Sequence, residues 1–353
     1  MADAIMNNRR LSVGEDEPDP AAPPEIADTP APLQLSIVIV TWNSERWIER
    51  CLRSVAAACD GLPHEVTVYD NASTDATLRS VDAVAAEIPD DAAGQIRIIR
   101  GSENCGFAAA TNRAIAASRG EYVFLLNPDC ELDRRALRVL HDFLSSHPEV
   151  AGAVPLLVDE SGDSQREFQL RRLPTLRTLA YDALAVDRLM PRNRATARHR
   201  YRDLDLTVPQ RVEQPAAAAL FLRRRVIDEV GAFDEQFAPA WFEDVDYCHR
   251  LAAAGKPVWV VPAAGARHFG GASLENLSFA EFTDFWYRNM WRYAVKWFPR
   301  PKAEALRWIV IVSMILRSGA ALAGIPHPKV PRWEAFHAYR HVMERAFRRW
   351  SPR

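Results

Sequence analysis

Short apolar runs alternate with amphipathic stretches along the first half of this chain. Four runs have the length and the branched and aromatic content of buried strands, and they are Leu35–Val40, Glu65–Tyr69, Gln95–Ile99 and Tyr122–Leu126. The stretches that follow repeat apolar residues at helical spacing, over about Glu45–Ala58, through Leu78 and Val81, over Ala108–Ser118 and over Leu132–Leu144. Strands that alternate with helices predict a parallel sheet with right-handed crossovers.

Each predicted strand ends in a polar turn. These turns are Thr41–Ser44, Asp70–Asp75, Asn104–Phe107 and Asn127–Asp129. Because the carboxyl ends of parallel strands meet at one edge of a sheet, ligands bind there in open α/β folds. The pattern therefore predicts one pocket lined by the four turns.

Asp129 has two interpretations from its local sequence. Pro128 ends the strand before it, because proline lacks the N–H that a sheet requires. A carboxylate held on such a stiff turn suits a hard divalent cation that carries phosphate oxygens. Alternatively, Asp129 caps the predicted helix Leu132–Leu144. The local residues favour neither.

Several nucleotide-binding classes are excluded by the first turn. A dinucleotide site requires G-x-G-x-x-G after the first strand, and the segment TWNSER at residues 41–46 contains no glycine. The phosphate loop of P-loop proteins and the glycine-rich basic loop of a sugar-nucleotide pyrophosphorylase are also missing. The carboxylates of Asp70, Asp75 and Asp129 can bind a base or ribose through hydrogen bonds, and phosphate through a metal.

The bulk composition is that of an ordinary soluble protein. The chain has 353 residues, 48% of them hydrophobic and 25% charged, with a net charge of -2. This balance gives no indication of nucleic-acid binding. Five cysteines have no metal-clip spacing, which fits a reducing compartment. Residues 1–33 are acidic and rich in Ala-Pro, without an apolar segment, so we expect a disordered tail and no signal peptide.

Seven sequence elements, in order, carry a resemblance to a known family. They are SIVIVTWN (36–43), VYDNASTD (68–75), ENCGFAAATN (103–112), LLNPDC (125–130), VGAFDEQF (230–237), WFEDVDYCHRL (241–251) and RHFGGAS (267–273). Together they resemble the inverting, family-2 glycosyltransferases of the GT-A fold, and the N-P-D and EDVD elements most resemble bacterial rhamnosyltransferases.

The resemblance implies an α/β fold of GT-A type. Its Rossmann-like, mostly parallel sheet would be flanked by helices, with a catalytic domain over residues 34–275 and a helical C-terminal extension over residues 276–353.

The resemblance also implies a donor site at the strand ends. In it, Asp70 would accept a hydrogen bond from the pyrimidine imide. The implied donor-binding residues are Thr41, Asn43, Asp70, Asn71, Asp75, Gly106, Phe107, Asn112, Asn127 and Asp129. Two of these have ordinary structural alternatives, since Asp75 can cap a turn or helix and Gly106 can supply a positive φ.

A divalent metal, Mg²⁺ or Mn²⁺, is implied at Asp129 and His268. Asn127 stands where the D-x-D motif of the family has its first acid, so Asp129 would be the single protein carboxylate. His268 resembles the family histidine near the diphosphate, and a structural histidine is the alternative. Small residues beside it, Gly270, Gly271 and Ser273, suit the close approach of a phosphate.

The acidic segment around Asp244 is the predicted catalytic element. Its simplest interpretation is a first helical turn whose acids complement the helix dipole. The resemblance instead makes Asp244 the base that takes the proton of the acceptor hydroxyl, with Glu243 as an alternative base or acceptor-orienting group. The reaction would be a direct displacement with inversion.

Acceptor contacts are predicted at Trp241 and Arg223. Between the two halves, Arg166–Asp205 is rich in arginine and lacks clear periodicity. It is either a mobile flap that captures an anionic acceptor or a solvated loop.

The chain becomes aromatic and apolar after Ser273. Phe279–Phe298 is aromatic, Ala303–Ile325 is the most apolar stretch, and Trp333–Trp350 mixes basic with aromatic residues. Because Arg317 interrupts the apolar stretch, a transmembrane span is not expected. The alternatives are a packed helical bundle and, as favoured here, peripheral attachment to the inner face of the cell membrane from the cytoplasm.

The expected reaction moves L-rhamnose from dTDP-L-rhamnose to a lipid-linked saccharide in cell-wall or surface polysaccharide synthesis. A UDP-sugar transferase for galactofuranose or N-acetylglucosamine is the alternative within the class. A catalytically silent, membrane-associated scaffold is the alternative outside it.

Overall fold

A computed structural model of the chain describes residues 34–59, 61–87, 95–190, 192–270, 277–325, 327–328 and 330–350. The predicted tail over residues 1–33 lies outside the described residues, as does the predicted domain boundary between residues 275 and 276.

A mixed, mostly parallel sheet forms the centre of the protein. The strands, in chain order, are β1 Leu35–Thr41, β2 His64–Asp70, β3 Ile96–Arg100, β4 Tyr122–Leu126, β5 Cys130–Leu132, β6 Gly152–Val158, β7 Leu170–Arg171, β8 Gln210–Val212, β9 Gln214–Pro215, β10 Ala219–Arg223 and β11 Val258–His268. The strand order is β3-β2-β1-β4-β10-β6-β11-β5, with β8 also on β11, while β7 and β9 form a separate pair. Strands β1–β4, β6 and β11 share one direction, and β5, β8 and β10 run against them.

Helices cover both faces of this sheet. They are α1 Ile48–Ala58, α2 Thr77–Glu87, α3 Phe107–Ala116, α4 Ala136–Ser146, α5 Arg166–Gln169, α6 Leu176–Ala183, α7 Val186–Leu189, α8 Arg194–His199, α9 Arg224–Val230, α10 Glu243–Ala253, α11 Phe279–Trp297, α12 Arg300–Leu322 and α13 Arg332–Phe347. Alternate residues of each strand enter opposite cores. Phe124 packs in the core with α1, α2 and α4, and Val123 and Leu125 in the core with α3, α9 and α10. The predicted α/β architecture is confirmed.

Two strand boundaries differ from the sequence-based expectation, and both matter for the site. Cys130–Leu132 forms strand β5 and the next helix begins at Ala136, so Asp129 does not cap that helix. Strand β11 continues to His268, because a register shift after Val261 lets it pair further along β6. His268 is therefore the last residue of a strand and does not belong to the loop after it.

The arginine-rich segment differs from the expected loop. It contains the four short helices α5–α8, and its basic residues meet acids within the protein. Arg200 and Arg202 both pair with Glu167, and Arg172 pairs with Glu213. These ion pairs give the segment a defined packing that its weak periodicity did not indicate.

The C-terminal helices share a core with the segment that leads into α10. Phe242 and Val245 are buried in one cluster with Met290 and Tyr293 of α11 and Met314 of α12. Helix α12 has the length and apolar composition of a membrane span, with 39% of its most apolar stretch buried. The helices therefore pack on the sheet domain as the bundle alternative predicts.

Candidate active site

Asp129 and His268 meet at the carboxyl edge of the sheet. Asp129 is the last residue of the short turn between β4 and β5. Strand β5 pairs with β11, which places Cys130 opposite His268. The Nε2 atom of His268 lies 3.6 Å from Asp129 Oδ1, and both side chains are buried. The N–H of Phe269 also donates to the Asp129 carbonyl at 3.0 Å. The tertiary structure thus joins the two residues predicted to bind metal.

Gln165 fixes the orientation of the His268 ring. His268 Nδ1 lies 2.9 Å from Gln165 Oε1, and Gln165 Nε2 donates to the His268 carbonyl at 2.7 Å. An amide oxygen can only accept, so Nδ1 carries the proton and Nε2 presents its lone pair towards Asp129. Burial lowers the pKa of His268 despite the nearby Asp129 carboxylate, which keeps the ring neutral near pH 7. A neutral, oriented imidazole is the form that binds metals.

These groups fit a divalent cation of the Mg²⁺ or Mn²⁺ type. Asp129, Cys130 and His268 place possible ligand atoms within 4.8 Å of one another. Burial raises the pKa of the Cys130 thiol well above its usual range, and its S–H lies 3.5 Å from the Ala218 carbonyl as a donor. With its thiol protonated, Cys130 is the weakest of the three candidate ligands, after the carboxylate of Asp129 and the imidazole of His268. Oxygen and imidazole ligands suit Mn²⁺ and Mg²⁺ better than a thiolate set would.

The predicted donor residues at β1 and β2 form a connected polar group. Asp70 is buried and accepts hydrogen bonds from Thr41 Oγ1 at 3.1 Å and from the Ser73 N–H at 3.0 Å. Asn71 donates to Asn104 Oδ1 at 2.8 Å. The turns after β1, β2 and β3 are thereby tied together at the edge where the pocket was predicted.

Asn43 and Asp75 hold this edge from the outside. Asn43 Oδ1 accepts from the Thr74 N–H at 2.8 Å, and Asp75 accepts from the Thr77 N–H at 2.9 Å and from the Glu45 N–H at 3.1 Å. Burial alone would raise the pKa of Asp75, but the hydrogen bonds from Thr77 and Glu45 lower it. Asp75 therefore acts as a cap at the start of α2, as its structural alternative predicted.

The segment around Gly106 contacts a distant loop. Gly106 has φ +85°, and a Cβ atom there would lie 2.9 Å from the Pro239 carbonyl oxygen. The Phe107 N–H donates to the same carbonyl at 2.7 Å. Asn112 exchanges hydrogen bonds of 2.9 Å with the backbone of Phe233. The amide of Asn112 therefore holds the 233–239 loop in place, and its predicted donor-binding role stays a prediction.

Two alanines, Ala217 and Ala218, connect Asp244 with the corner of the sheet where Asp129 and His268 meet, which is called the metal-binding corner below. The Ala217 N–H donates to Asp244 Oδ2 at 3.4 Å, while the Ala218 carbonyl accepts from the Asn127 N–H at 2.8 Å. Asn127 belongs to the same turn as Asp129. The candidate base and the candidate metal ligand therefore flank one short segment that leads into β10.

The two acids of the α10 start differ in their ionisation. Burial raises the pKa of Asp244. The hydrogen bonds from the N–H groups of Val245 and Ala217, and the positive charge of Arg171, lower it in part. Burial and the neighbouring Asp244 raise the pKa of Glu243 well above its usual range. Among the described residues, Glu243 Oε2 is buried without a hydrogen-bond partner. Glu243 is thus the protonated member of the pair and Asp244 the better base.

Helix α11 stabilises the loop that precedes Glu243 and Asp244. Trp241 and Phe242 have φ of 70° and 73°, a conformation that is unfavourable for bulky side chains. The buried Asn289 side chain donates to the carbonyls of Phe237, Ala240 and Trp241 at 2.6, 2.8 and 3.2 Å. These bonds compensate the strained turn, so the C-terminal region supports the catalytic element directly.

Arg223 lies away from this site, which corrects its predicted role. Strand β10 runs against β4, so Ala219 begins at the pocket edge and Arg223 ends at the opposite edge, opposite Tyr122. Its buried guanidinium donates to the backbone carbonyls of Val150 and His147 at 2.8 and 3.1 Å. Arg223 is a structural residue there.

The sequence predictions missed one residue near the site, Gln165, and included another, Arg171, only as part of the arginine-rich segment. Gln165 orients His268, and nothing in its local sequence distinguishes it from other polar residues. Arg171 lies close enough to Asp182 and Asp244 to interact electrostatically with both. The arginine-rich character of its segment was the available signal for Arg171.

Solved structures with the same fold carry nucleotide sugars or their products. The crystal structure of GalNAc-T7 with UDP, GalNAc and Mn²⁺ is 15% identical, with a TM-score of 0.54, and the match covers 90% of this chain and 56% of that one. The mannosyltransferase PcManGT from Pyrobaculum calidifontis, in complex with GDP-Man and Mn²⁺, is 17% identical, with a TM-score of 0.53 and coverage of 90% and 88%. The GT-A type predicted from the sequence is confirmed as the fold.

Sequence relatives match a shorter part of the chain. An uncharacterised protein of Mycobacterium tuberculosis is 31% identical over 209 residues, which are 58% of this chain and 57% of the relative. The succinoglycan biosynthesis protein ExoO of Rhizobium meliloti is 32% identical over 163 residues, 45% of this chain and 44% of the relative. The match thus spans about half the length of these relatives. Residues 36–204 match the family described as glycosyl transferase family 2.

Proposed function

We propose that this protein is an inverting glycosyltransferase that moves L-rhamnose from dTDP-L-rhamnose to a lipid-linked saccharide. The observation that carries the transferase assignment is the placement of Asp129 with His268 on one side of Ala217–Ala218 and of Asp244 on the other. A single displacement needs a site for the leaving diphosphate and a base for the acceptor, side by side. A binding scaffold requires neither group.

In this proposal, Asp244 takes the proton from the acceptor hydroxyl as its oxygen attacks the anomeric carbon. Glu243, kept protonated by burial, donates its proton in a hydrogen bond that orients the acceptor. Asp129 and His268 would hold a divalent metal, which would supply positive charge against the negative charge that develops on the departing diphosphate. One base and one displacement give inversion at the anomeric carbon.

The choice of sugar and acceptor rests on narrower support. The N-P-D turn with the single carboxylate of Asp129 resembles the rhamnosyltransferase group. The relative named for succinoglycan biosynthesis supports a role in polysaccharide synthesis. A UDP-sugar donor, galactofuranose or N-acetylglucosamine, is the alternative within the same chemistry.

Attachment to the inner face of the cell membrane is part of the proposal. In the described residues 303–325, every exposed position is Ala, Gly or a larger apolar residue. The large ones, about half exposed or more, are Trp308, Val312, Ile315, Leu316, Leu322 and Ile325. The two arginines of this stretch bond inward, with Arg307 donating to the Ala346 carbonyl and Arg317 to the Ala183 carbonyl. The third charged residue, Glu304, pairs with Arg307 and Arg349. A helix with this outward face favours an apolar medium.

Basic residues lie at both ends of this apolar face. Phe347 contacts Trp308 at one end, and Arg348 and Arg349 follow it in the chain. Arg332 lies beside Gly324 at the other end. Arginines that flank an apolar helix face complement the anionic headgroups of a membrane surface. A lipid-linked acceptor would be presented at that surface.

The function is tested by calorimetric titration with dTDP-rhamnose, UDP-galactofuranose, UDP-galactose and UDP-N-acetylglucosamine, each with and without Mn²⁺ or Mg²⁺. Binding of dTDP-rhamnose alone, and only with metal, is the expected result. Preference for a UDP-sugar would overturn the rhamnosyl assignment and keep the chemistry. If the folded protein binds none of the four, the scaffold alternative replaces the transferase.

A further inference from the structure

A cavity of about 540 Å³ lies between the arginine-rich segment and the C-terminal helices. Asp182, Asp187 and Arg200 line one side, and Phe282 and Trp286 of α11 line the other. The Trp286 indole N–H donates to Asp182 Oδ2 at 3.1 Å, and Arg200 pairs with Asp187 at 2.7 Å. The volume is in the usual range for a small-molecule site, about 300–1,000 Å³.

Two chains of contacts connect this cavity to Asp244. Arg171 interacts electrostatically with both Asp182, in the cavity wall, and Asp244. Trp241, which stands three residues before Asp244, packs edge-on against Phe282 at 5.0 Å between ring centroids. It also packs against Trp286 at 6.4 Å. The aromatic wall of the cavity therefore continues to the loop that carries the candidate base.

Contacts connect Asp244 both to this cavity and to the metal-binding corner. Ala217 and Ala218 connect it to the turn of Asp129, while Arg171 and Trp241 connect it to the cavity wall. A base that deprotonates an acceptor must lie between the donor sugar and the acceptor. With the diphosphate at Asp129, the acceptor comes from the other side, which is the side of the cavity.

We propose that this cavity binds a neutral hexose unit of the acceptor saccharide, an inference that rests on the function proposed above. Flat aromatic side chains such as Phe282 and Trp286 pack against the apolar face of a sugar ring. The carboxylates of Asp182 and Asp187 accept hydrogen bonds from its hydroxyl groups. Arg200 and Arg317 of the same lining balance their charges, so the site suits an uncharged ring.

The lining also contains the apolar residues Leu277, Phe279 and Val330, but its charged residues disfavour the isoprenoid part of a lipid carrier. An apolar chain would cover Asp187, Arg200 and Arg317 without giving them hydrogen bonds, and burying polar groups without new partners is unfavourable. The outward face of α12 is the apolar surface of this region. We therefore assign the cavity to the saccharide of the acceptor and the outward face of α12 to its lipid part.

The test is saturation-transfer NMR on the full chain with methyl glycosides of glucose, galactose, mannose and N-acetylglucosamine. At least one glycoside should receive saturation at its ring protons. Phe282→Ala and Asp187→Asn should each reduce that signal at least fivefold. Trp308→Ala, an aromatic truncation on the exposed face of α12, should leave it unchanged. Calorimetric donor binding with metal should stay the same in all variants, which separates lost saccharide binding from misfolding.

Three results would overturn the inference. The first is that the wild-type protein saturates none of the glycosides. The second is that Phe282→Ala and Asp187→Asn give the same signal as the wild-type protein. The third is that farnesyl phosphate at the same concentration displaces the glycoside. Donor binding reports on the proposed function separately. Glycoside binding without donor binding would contradict the transferase function and keep the saccharide site. Donor binding without glycoside binding would contradict only the assignment of the cavity.

Discussion

Gln165 and His268 exchange two hydrogen bonds across 103 residues of chain, and this pairing sets which ring nitrogen of His268 can bind a metal. Because Gln165 Oε1 accepts from Nδ1, the lone pair of Nε2 points towards Asp129. The candidate metal site therefore depends on a residue that is not itself a candidate ligand.

Replacing Gln165 with leucine should weaken Mn²⁺ binding about 10–100-fold, the usual effect of losing a partner that orients a ligand. The measurement is a Mn²⁺ titration followed by electron paramagnetic resonance. Gln95→Leu, at an exposed residue beside β3, serves as the matched control. His268→Ala should lose at least as much affinity. Unchanged Mn²⁺ affinity in both Gln165→Leu and His268→Ala would contradict the site.

Replacing Asp244 with asparagine should lower kcat by about 10²–10⁴, the usual contribution of a general base. Donor binding should remain nearly unchanged, because Asp244 does not contact the metal-binding corner directly. Steady-state kinetics and calorimetric donor titration measure the two quantities. Asp228→Asn, on the exposed side of α9, controls for removal of a carboxylate. Full turnover in Asp244→Asn would remove it as the base.

In the pH profile of kcat/KM, the acid limb should have an apparent pKa above that of an ordinary aspartate, which is about 3.9. Burial raises the pKa of Asp244, and a base works only when deprotonated, so activity falls as the pH drops through that raised pKa. Arg171 lowers the pKa of Asp244, and Arg171→Met should therefore move the limb to higher pH. A pH–rate profile of both proteins measures this, and a limb that moves to lower pH would contradict the electrostatic role of Arg171.

Replacing Glu243 with glutamine should stabilise the folded protein at neutral pH. Because its folded pKa is raised, the folded state binds more protons than the unfolded state between the unfolded pKa, about 4.3, and the folded value. Stability is therefore lost as the pH rises through that window, by up to about 1.4 kcal/mol per pH unit. Glutamine has no such loss.

Urea unfolding of wild type and Glu243→Gln at pH 5 and pH 8 checks this stability prediction. The variant should lose less stability over the interval, and Glu149→Gln, at an exposed residue after α4, should behave as wild type. Equal pH dependence in all three proteins would show that Glu243 ionises normally.

Replacing Ile315 and Leu316 together with glutamate should reduce co-sedimentation with vesicles of phosphatidylglycerol and phosphatidylethanolamine about tenfold or more. Both side chains belong to the exposed apolar face of α12, and burying a charge in the membrane interface is unfavourable. Val295→Glu, at an exposed apolar residue of α11, is the control.

Two results would contradict this membrane surface. One is equal sedimentation of the double variant and the wild-type protein. The other is a wild-type dimer that the double variant converts to a monomer without any change in vesicle binding, which would assign the face to a second copy of the chain.

Local patterns in the sequence determined the elements and the edge where the site lies. The apolar run of β4, its stop at Pro128 and the polar turns after β1 and β2 each depend on neighbouring residues, because strand burial and chain reversal are local properties. The same holds for the acidic start of α10. The positions of Asp70 and Asp129 after strands, and of Asp244 at a helix start, could therefore be predicted locally, while their roles came from the resemblance to family-2 glycosyltransferases.

The partners of these residues were decided only by the tertiary structure. The reversed direction of β10 sends Arg223 to the far edge, and the extension of β11 brings His268 onto Asp129. Gln165 and Asn289 act through hydrogen bonds to backbone that is distant in the chain. Sequence spacing carries no information on such contacts, because strand direction and the packing of separate elements are set by the whole core.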